Sequence, residues 1–216
     1  MDKNKVWYYE KLSAKVLQSL KGNNIEAFYC KTGKETREKI LSLIPEGASV
    51  GLAGSVTLKE VGILDELMKG NYKLYNQYLP DLSKEESLKI RREGVSAGYF
   101  LSGTNAVTLN GELVNISGMG NKIAGLCYGK KVVIVCGVNK IVKDIKEGID
   151  RTRNLSTPMN AKRLDFNTPC RETGFCDYGL CRAPEFDRMC NQLLIIEGER
   201  EKGRVTMILV GEELGF

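Results

Sequence analysis

Short apolar runs alternate with amphipathic segments along most of this chain, and that alternation narrows the choice of fold more than any other feature. Strand-like runs at 25–30, 49–53, 73–76, 97–101, 112–116 and 132–136 are interleaved with helical patterns at 6–20, 34–44, 57–68, 83–93, 121–127 and 140–153. Several runs, above all VVIVC at 132–136, are continuously apolar, as strands buried on both faces are. Strands that feed helices in this order predict an α/β protein with a mostly parallel sheet covered by helices.

A chain of 216 residues is the size of one ordinary domain and can bury about 70% of its unfolded surface. No linker or repeat divides it. From 157 to 191 the pattern lapses into a polar stretch bearing Pro and Cys, and 193–196 and 205–210 then read as two closing strands around a turn at 199–203. A loop of that length inside a compact domain calls for a function or an internal staple.

The same stretch, TPCRETGFCDYGLCRAPEFDRMCN, holds Cys170, Cys176, Cys181 and Cys190, four of the seven cysteines, while the chain has no histidine. Without imidazole there is no Ser-His-Asp or Cys-His machinery, no histidine metal site and no histidine general base. The odd cysteine count, with no hydrophobic signal core in MDKNKVWYYEKL, leads us to expect reduced thiols and a cytoplasmic location. Four thiolates can surround one zinc ion or one cubane iron-sulfur cluster, or they can remain free thiols. The spacing C-x5-C-x4-C-x8-C matches neither the zinc ribbon nor the bacterial ferredoxin pattern. Cys30, Cys127 and Cys136 lie in apolar segments and read as small core residues.

The net charge of +5 is spread among interleaved acidic and basic residues, so no basic stripe predicts nucleic-acid binding. No apolar run approaches the ~18 residues of a membrane span.

Three turns offer sites for a small anion. Gly54, Ser55 and Thr57 lie between a strand and a helix, where free N–H groups and hydroxyls gather, although Ser and Thr are also ordinary helix caps. In ISGMGNKIAG, Gly118 and Gly120 permit close backbone approach, and Asn121 and Lys122 open the next helix. The third glycine of a dinucleotide fingerprint is missing. Thr104 and Asn105 follow a buried strand, where open α/β sheets place ligands, and Asn110-Gly111 reads as a hairpin turn.

The segments GSVTLKEVGI, FLSGTNAVTLNGELVNISGMGNKIAG, VVIVCGVNKIV, TPMNAKRL, the cysteine stretch and GRVTMILVGEELGF together resemble the LUD domain family of lactate-utilisation proteins, from about Gly51 to Phe216. The resemblance implies a single LUD-type domain over 1–216, with a Cys-rich loop at 168–191 and a closing hairpin at 193–210. It implies a fold similar to ribose-5-phosphate isomerase and CoA transferases, with the turns at Gly54-Ser55-Thr57, Thr104-Asn105 and Gly118-Gly120-Asn121-Lys122 lining a pocket.

The function it implies is an accessory role in oxidation of lactate or a related 2-hydroxy acid, with a small anionic metabolite as ligand and other lactate-utilisation redox subunits as partners. A 4Fe-4S cluster on Cys170, Cys176, Cys181 and Cys190 is the expected cofactor, with zinc as the alternative. Two other functions stay open: a zinc-stabilised binding subunit, and an isomerase or transferase acting on a phosphorylated or CoA-linked substrate. In the latter Glu60 or Glu112 would be the base and Lys122 the electrophilic anchor.

Overall fold

The structure, a computed structural model, describes residues 1–216. The chain opens with α1 (Lys3–Gly22), capped by the Asp2 carboxylate, followed by β1 (Glu26–Cys30), α2 (Gly33–Leu43) and β2 (Ser49–Leu52). The expected helix over 57–68 is two, α3 (Val56–Glu60) and α4 (Ile63–Lys69), because Gly62 takes φ +73°, the left-handed conformation that ends a helix. Next come β3 (Lys73–Tyr75) and α5 (Lys84–Val95), the latter started by a Ser83/Glu86 capping box. Then follow β4 (Tyr99–Gly103), β5 (Ala106–Thr108), β6 (Leu113–Ser117), α6 (Asn121–Tyr128) and β7 (Lys131–Gly137).

After β7 the chain departs from its sequence reading. Val138–Lys140 is a short 3-10 turn and β8 (Ile141–Val142) a short strand, so no helix begins at Lys140. A helical rod follows instead: α7 (Ile145–Arg151), a π turn at Thr152–Ser156, and α8 (Thr157–Leu164). Pro158, which has no N–H to donate, falls in the first turn of α8, directly after the π turn whose Thr157 N–H bonds the Thr152 carbonyl. The cysteine stretch contains α9 (Pro169–Thr173) and one 3-10 turn, and β9 (Gln192–Ile196) and β10 (Val205–Val210) close the fold.

Six strands form one wholly parallel sheet in the order β1-β10-β7-β4-β2-β3. The fold class is therefore α/β, as predicted. The expected closing hairpin does not form. β10 inserts between β1 and β7, whereas β9 pairs antiparallel with β6 in a second sheet ordered β8-β5-β6-β9. Loop 197–204 carries the chain from one sheet to the other.

The continuous apolar runs have a direct packing cause. Along β10, Val205, Met207 and Leu209 point into one core and Ile208 and Val210 into the other; β7 splits in the same way, with Val132, Ile134 and Cys136 on one face and Val133 and Val135 on the other. Cys30 and Cys136 are buried as predicted, but Cys127 is exposed, since α6 turns only Gly125 and Leu126 fully inward there. Close packing of α5 on β2 requires two glycines, because a Cβ on Gly51 would lie 1.9 Å from the Gly94 carbonyl oxygen.

Candidate functional site

A parallel sheet brings the carboxyl ends of its strands to one edge, and here those ends surround a cavity of about 130 Å³. β2 delivers Gly54, Ser55 and Thr57, β4 delivers Thr104 and Asn105, and the turn after β7 delivers Lys140. From the second sheet, β6 leads to Gly118, and α6 contributes Lys122. The rod formed by α7 and α8 closes one side with Ser156, Thr157, Asn160 and Arg163, and Phe216 and Met189 complete the wall.

Seven of the nine residues singled out as ligand-binding thus share one cavity. Gly120 and Asn121 do not; they line a separate surface depression with Arg91 and Arg92. Because α3 has only five residues, with Ser55 Oγ accepting from Leu58 N at 3.3 Å as its cap, this turn contributes hydroxyls rather than the dipole of a long helix. Neither carboxylate candidate lines the cavity. The Glu112 carboxylate accepts from the Thr108 hydroxyl, whose oxygen in turn accepts from Glu112 N at 3.1 Å, while Glu60 accepts from the Gly215 N–H at 2.6 Å. The turn at Asn110-Gly111 joins the antiparallel pair β5 and β6, with Gly111 at φ +88°.

Three cations line the cavity, Lys122, Lys140 and Arg163, with no Asp or Glu among the lining residues. The Lys140 ammonium donates to Thr57 Oγ1 at 2.8 Å and is buried. The Lys122 ammonium donates to Asn105 Oδ1 at 2.8 Å, the same oxygen that accepts from Ile116 N at 3.0 Å. Lys122 as a whole is half-buried, but its charged end lies in the dense part of the site. Burial, and then the neighbouring Lys140 charge, lower its pKa to about 7. Burial lowers Lys140 to about 8, with the Cys136 side opposing and Arg151 assisting. Cys136, on the β7 wall behind them, is pushed up to about 11 by burial and stays a neutral thiol.

Sequence reasoning missed Lys140 and Arg163. Lys140 reads as the polar start of a helix, and only the turn after β7 folds its ammonium inward; Arg163 falls in a stretch read as loop. The π turn at Thr152–Ser156 adds one residue to the rod and sets Ser156 and Thr157 toward the cavity, a distortion common at functional sites.

Beyond Thr157 and Met189, which belong to both walls, lies a second, smaller space lined by all four of Cys170, Cys176, Cys181 and Cys190. Cys190 Sγ donates to Thr157 Oγ1 at 3.4 Å, and Cys170 Sγ lies 3.3 Å from Thr168 Oγ1. Burial raises the pKa of Cys176, Cys181 and Cys190. No three Cys, Asp or Glu side chains are gathered tightly enough to hold a single metal ion. Arg153 and Arg188 also line this space, stacked 5.1 and 4.8 Å from the Tyr178 ring, and Arg153 Nε is buried with no hydrogen-bond acceptor.

A six-stranded parallel sheet between helical layers, with a cation-lined cavity at its carboxyl edge, places the chain among α/β proteins of Rossmann-like build. Its family is narrower: the chain belongs to the LUD domain family, which is associated with lactate utilisation, and the family model matches residues 13–210. The crystal structure of a DUF162 family protein from Deinococcus radiodurans, at 1.70 Å resolution, shares the fold. Its TM-score is 0.53 at 12% identity, over 94% of this chain and 97% of that one, a likeness of fold alone. No curated protein matches the chain. No helix is long and apolar enough to cross a membrane.

Proposed function

We propose that this chain is an accessory protein of lactate or related 2-hydroxy-acid oxidation, whose cavity holds a small carboxylate and whose four late cysteines hold a 4Fe-4S cluster beside it. The observation that carries the reading is the adjacency of the two spaces: three unpaired cations on one side of Thr157 and Met189, four thiols on the other. A carboxylate entering the first space meets ammonium groups already fixed by Thr57 and Asn105, so little side-chain ordering remains to oppose binding.

Four cysteine sulfurs around one space are the donor set a 4Fe-4S cluster takes, with zinc as the alternative. A cubane accepts four cysteine sulfurs and, being larger than one ion, holds them apart. Arg153 and Arg188 supply positive charge beside thiolates that would otherwise repel one another, and the Arg153 Nε–H lacks an acceptor that cluster or thiolate sulfur would provide. When bound, the cluster would supply one-electron redox chemistry beside the carboxylate. The space now measures about 20 Å³, room for about one water, so the loop must part on loading. Much of that loop is irregular. Oxidation of a hydroxy acid further requires an acceptor on a partner subunit, since this chain's own residues only bind, orient and hold protons.

An isomerase or transferase reading is less favoured, because no carboxylate lines the cavity to act as its base. Anaerobic reconstitution with iron and sulfide tests the proposal. Brown protein with near one cluster per chain, bleached by reductant and lost in Cys181→Ser and Cys190→Ser, supports it. Protein that takes up neither iron nor sulfide refutes the cluster, and absence of any lactate or pyruvate binding refutes the ligand.

A further inference from the structure

Two neighbouring lysines face one cavity with no carboxylate between them, an arrangement in which both cannot readily stay charged while the site is empty. Lys140 keeps the better-compensated position: its Nζ is held by Thr57 Oγ1, and the Glu60 carboxylate acts on it from the neighbouring helix. Lys122 has only a neutral amide, Asn105, as its partner. A lysine beside a second ammonium, at the wall of a small polar cavity, is one of the recognised arrangements that turn an amine into a nucleophile.

We propose that Lys122 forms an imine with small 2-oxo carboxylates, while the Lys140 ammonium holds the carboxylate. The inference rests on the carboxylate-binding reading above and deepens it by naming the carbonyl acids, rather than hydroxy acids alone, as ligands of the same cavity. The neutral Nζ donates its electron pair to the C2 carbonyl carbon, and a C–N bond forms as the carbonyl electrons move to oxygen. Transfer of a proton from nitrogen to that oxygen gives a carbinolamine, and loss of the oxygen as water leaves the C=N bond. Amine plus ketone thus gives imine plus water, with no change of oxidation state and no further reactant. Ser55, which lines the same cavity and whose Oγ accepts from Leu58 N, supplies a hydroxyl to relay the proton.

The assay is reductive trapping. The intact protein is incubated with pyruvate and borohydride, which delivers hydride to the C=N carbon and fixes the adduct as a secondary amine. Peptide mass spectrometry then locates it. We expect one dominant adduct on Lys122, at least tenfold above any surface lysine, abolished in Lys122→Arg and weakened severalfold in Lys140→Met. Thermal melting checks that each variant is folded, and Lys122→Met serves as a second replacement where the arginine is not tolerated. Adducts spread over surface lysines, an adduct on Lys140, or an adduct yield unchanged in a folded Lys122 variant overturns the proposal.

Calorimetric binding of L-lactate, which has no carbonyl, separates the two failures. Lactate binding without pyruvate trapping overturns the imine and leaves the carboxylate site standing; absence of both overturns both.

Discussion

Carboxylate binding should weaken steeply as pH rises through neutrality, because the two ammonium groups that attract the ligand carry unusually low pKa values. Lys122 sits at about 7 and Lys140 at about 8 in the empty protein. A bound carboxylate favours the charged form of both, so affinity scales with the product of their protonated fractions. That product is about nine-tenths at pH 6, about one-half at pH 7, about one-twentieth at pH 8 and about one-thousandth at pH 9. The step from pH 6 to pH 8 is then worth roughly 1.8 kcal/mol of binding free energy. Cys136, Arg151 and Glu60 face the pair and Arg163 lines the same cavity; Cys136, at about 11, stays neutral across the range.

L-Lactate is the suitable probe, since its own charge is constant over this interval, whereas phosphate titrates within it. Calorimetry in buffers of different ionisation enthalpy should also show proton uptake on binding, approaching one proton or more between pH 7 and 8. Lys122→Met should remove the lower step and leave the one near 8. An affinity that is flat from pH 6 to pH 9, with no proton uptake, would refute the view that these lysines hold the ligand.

Other outcomes follow from the same geometry. Imine trapping needs Lys122 neutral and Lys140 charged, so its yield should peak between about pH 7 and 8 and fall on both sides, measured as adduct per chain; a steady rise to pH 10 would point to unspecific amines. Ile208→Ala in β10 should cost about 2–5 kcal/mol in urea unfolding, because Ile208 is fully buried in mid-sheet; a change under about 1 kcal/mol would contradict its place in the core. The Glu199 carboxylate is disfavoured by burial but held below its ordinary range by the Arg204 hydrogen bond and charge, with Arg204 Nε donating at 2.8 Å. Its contribution to stability is therefore present above the unfolded carboxylate pKa and lost as pH falls through the lower folded value. Glu199→Gln should lower the melting temperature at pH 7 and shrink that acid dependence, and an unchanged acid limb would show that Glu199 does not set it.

The sheet was legible where burial on both faces wrote itself as an unbroken apolar run, as in β7 and β10. The charged helical pattern at 83–93 marked α5, and the structure adds the Ser83/Glu86 capping box at its start. What could not be read was partner choice. Nothing in 193–210 distinguishes a hairpin from two strands of different sheets, because β10 takes its register from Val132–Gly137 and Glu26–Cys30, far away in sequence. The cavity was half legible: hydroxyls and glycines after strands are a local signal, whereas the inward course of Lys140 depends on the 3-10 turn after β7 and on Thr57 as its acceptor. α8 was missed because its composition is polar and its start holds Pro158, with no apolar period long enough to outweigh either.

The position of β10 has a consequence for the order of assembly. The last of this sheet's strands in chain order belongs between β1 and β7, pairing Glu26 with Thr206 and Val132 with Val205. While β10 is still inside the ribosome, β1 has no neighbour in the larger sheet and β7 keeps an open edge. Closing so long a loop is entropically slow, and contacts this distant in sequence retard folding. The emerging chain should therefore remain protease-sensitive, and a client for chaperones that bind exposed strands, until residues 205–210 have cleared the exit tunnel.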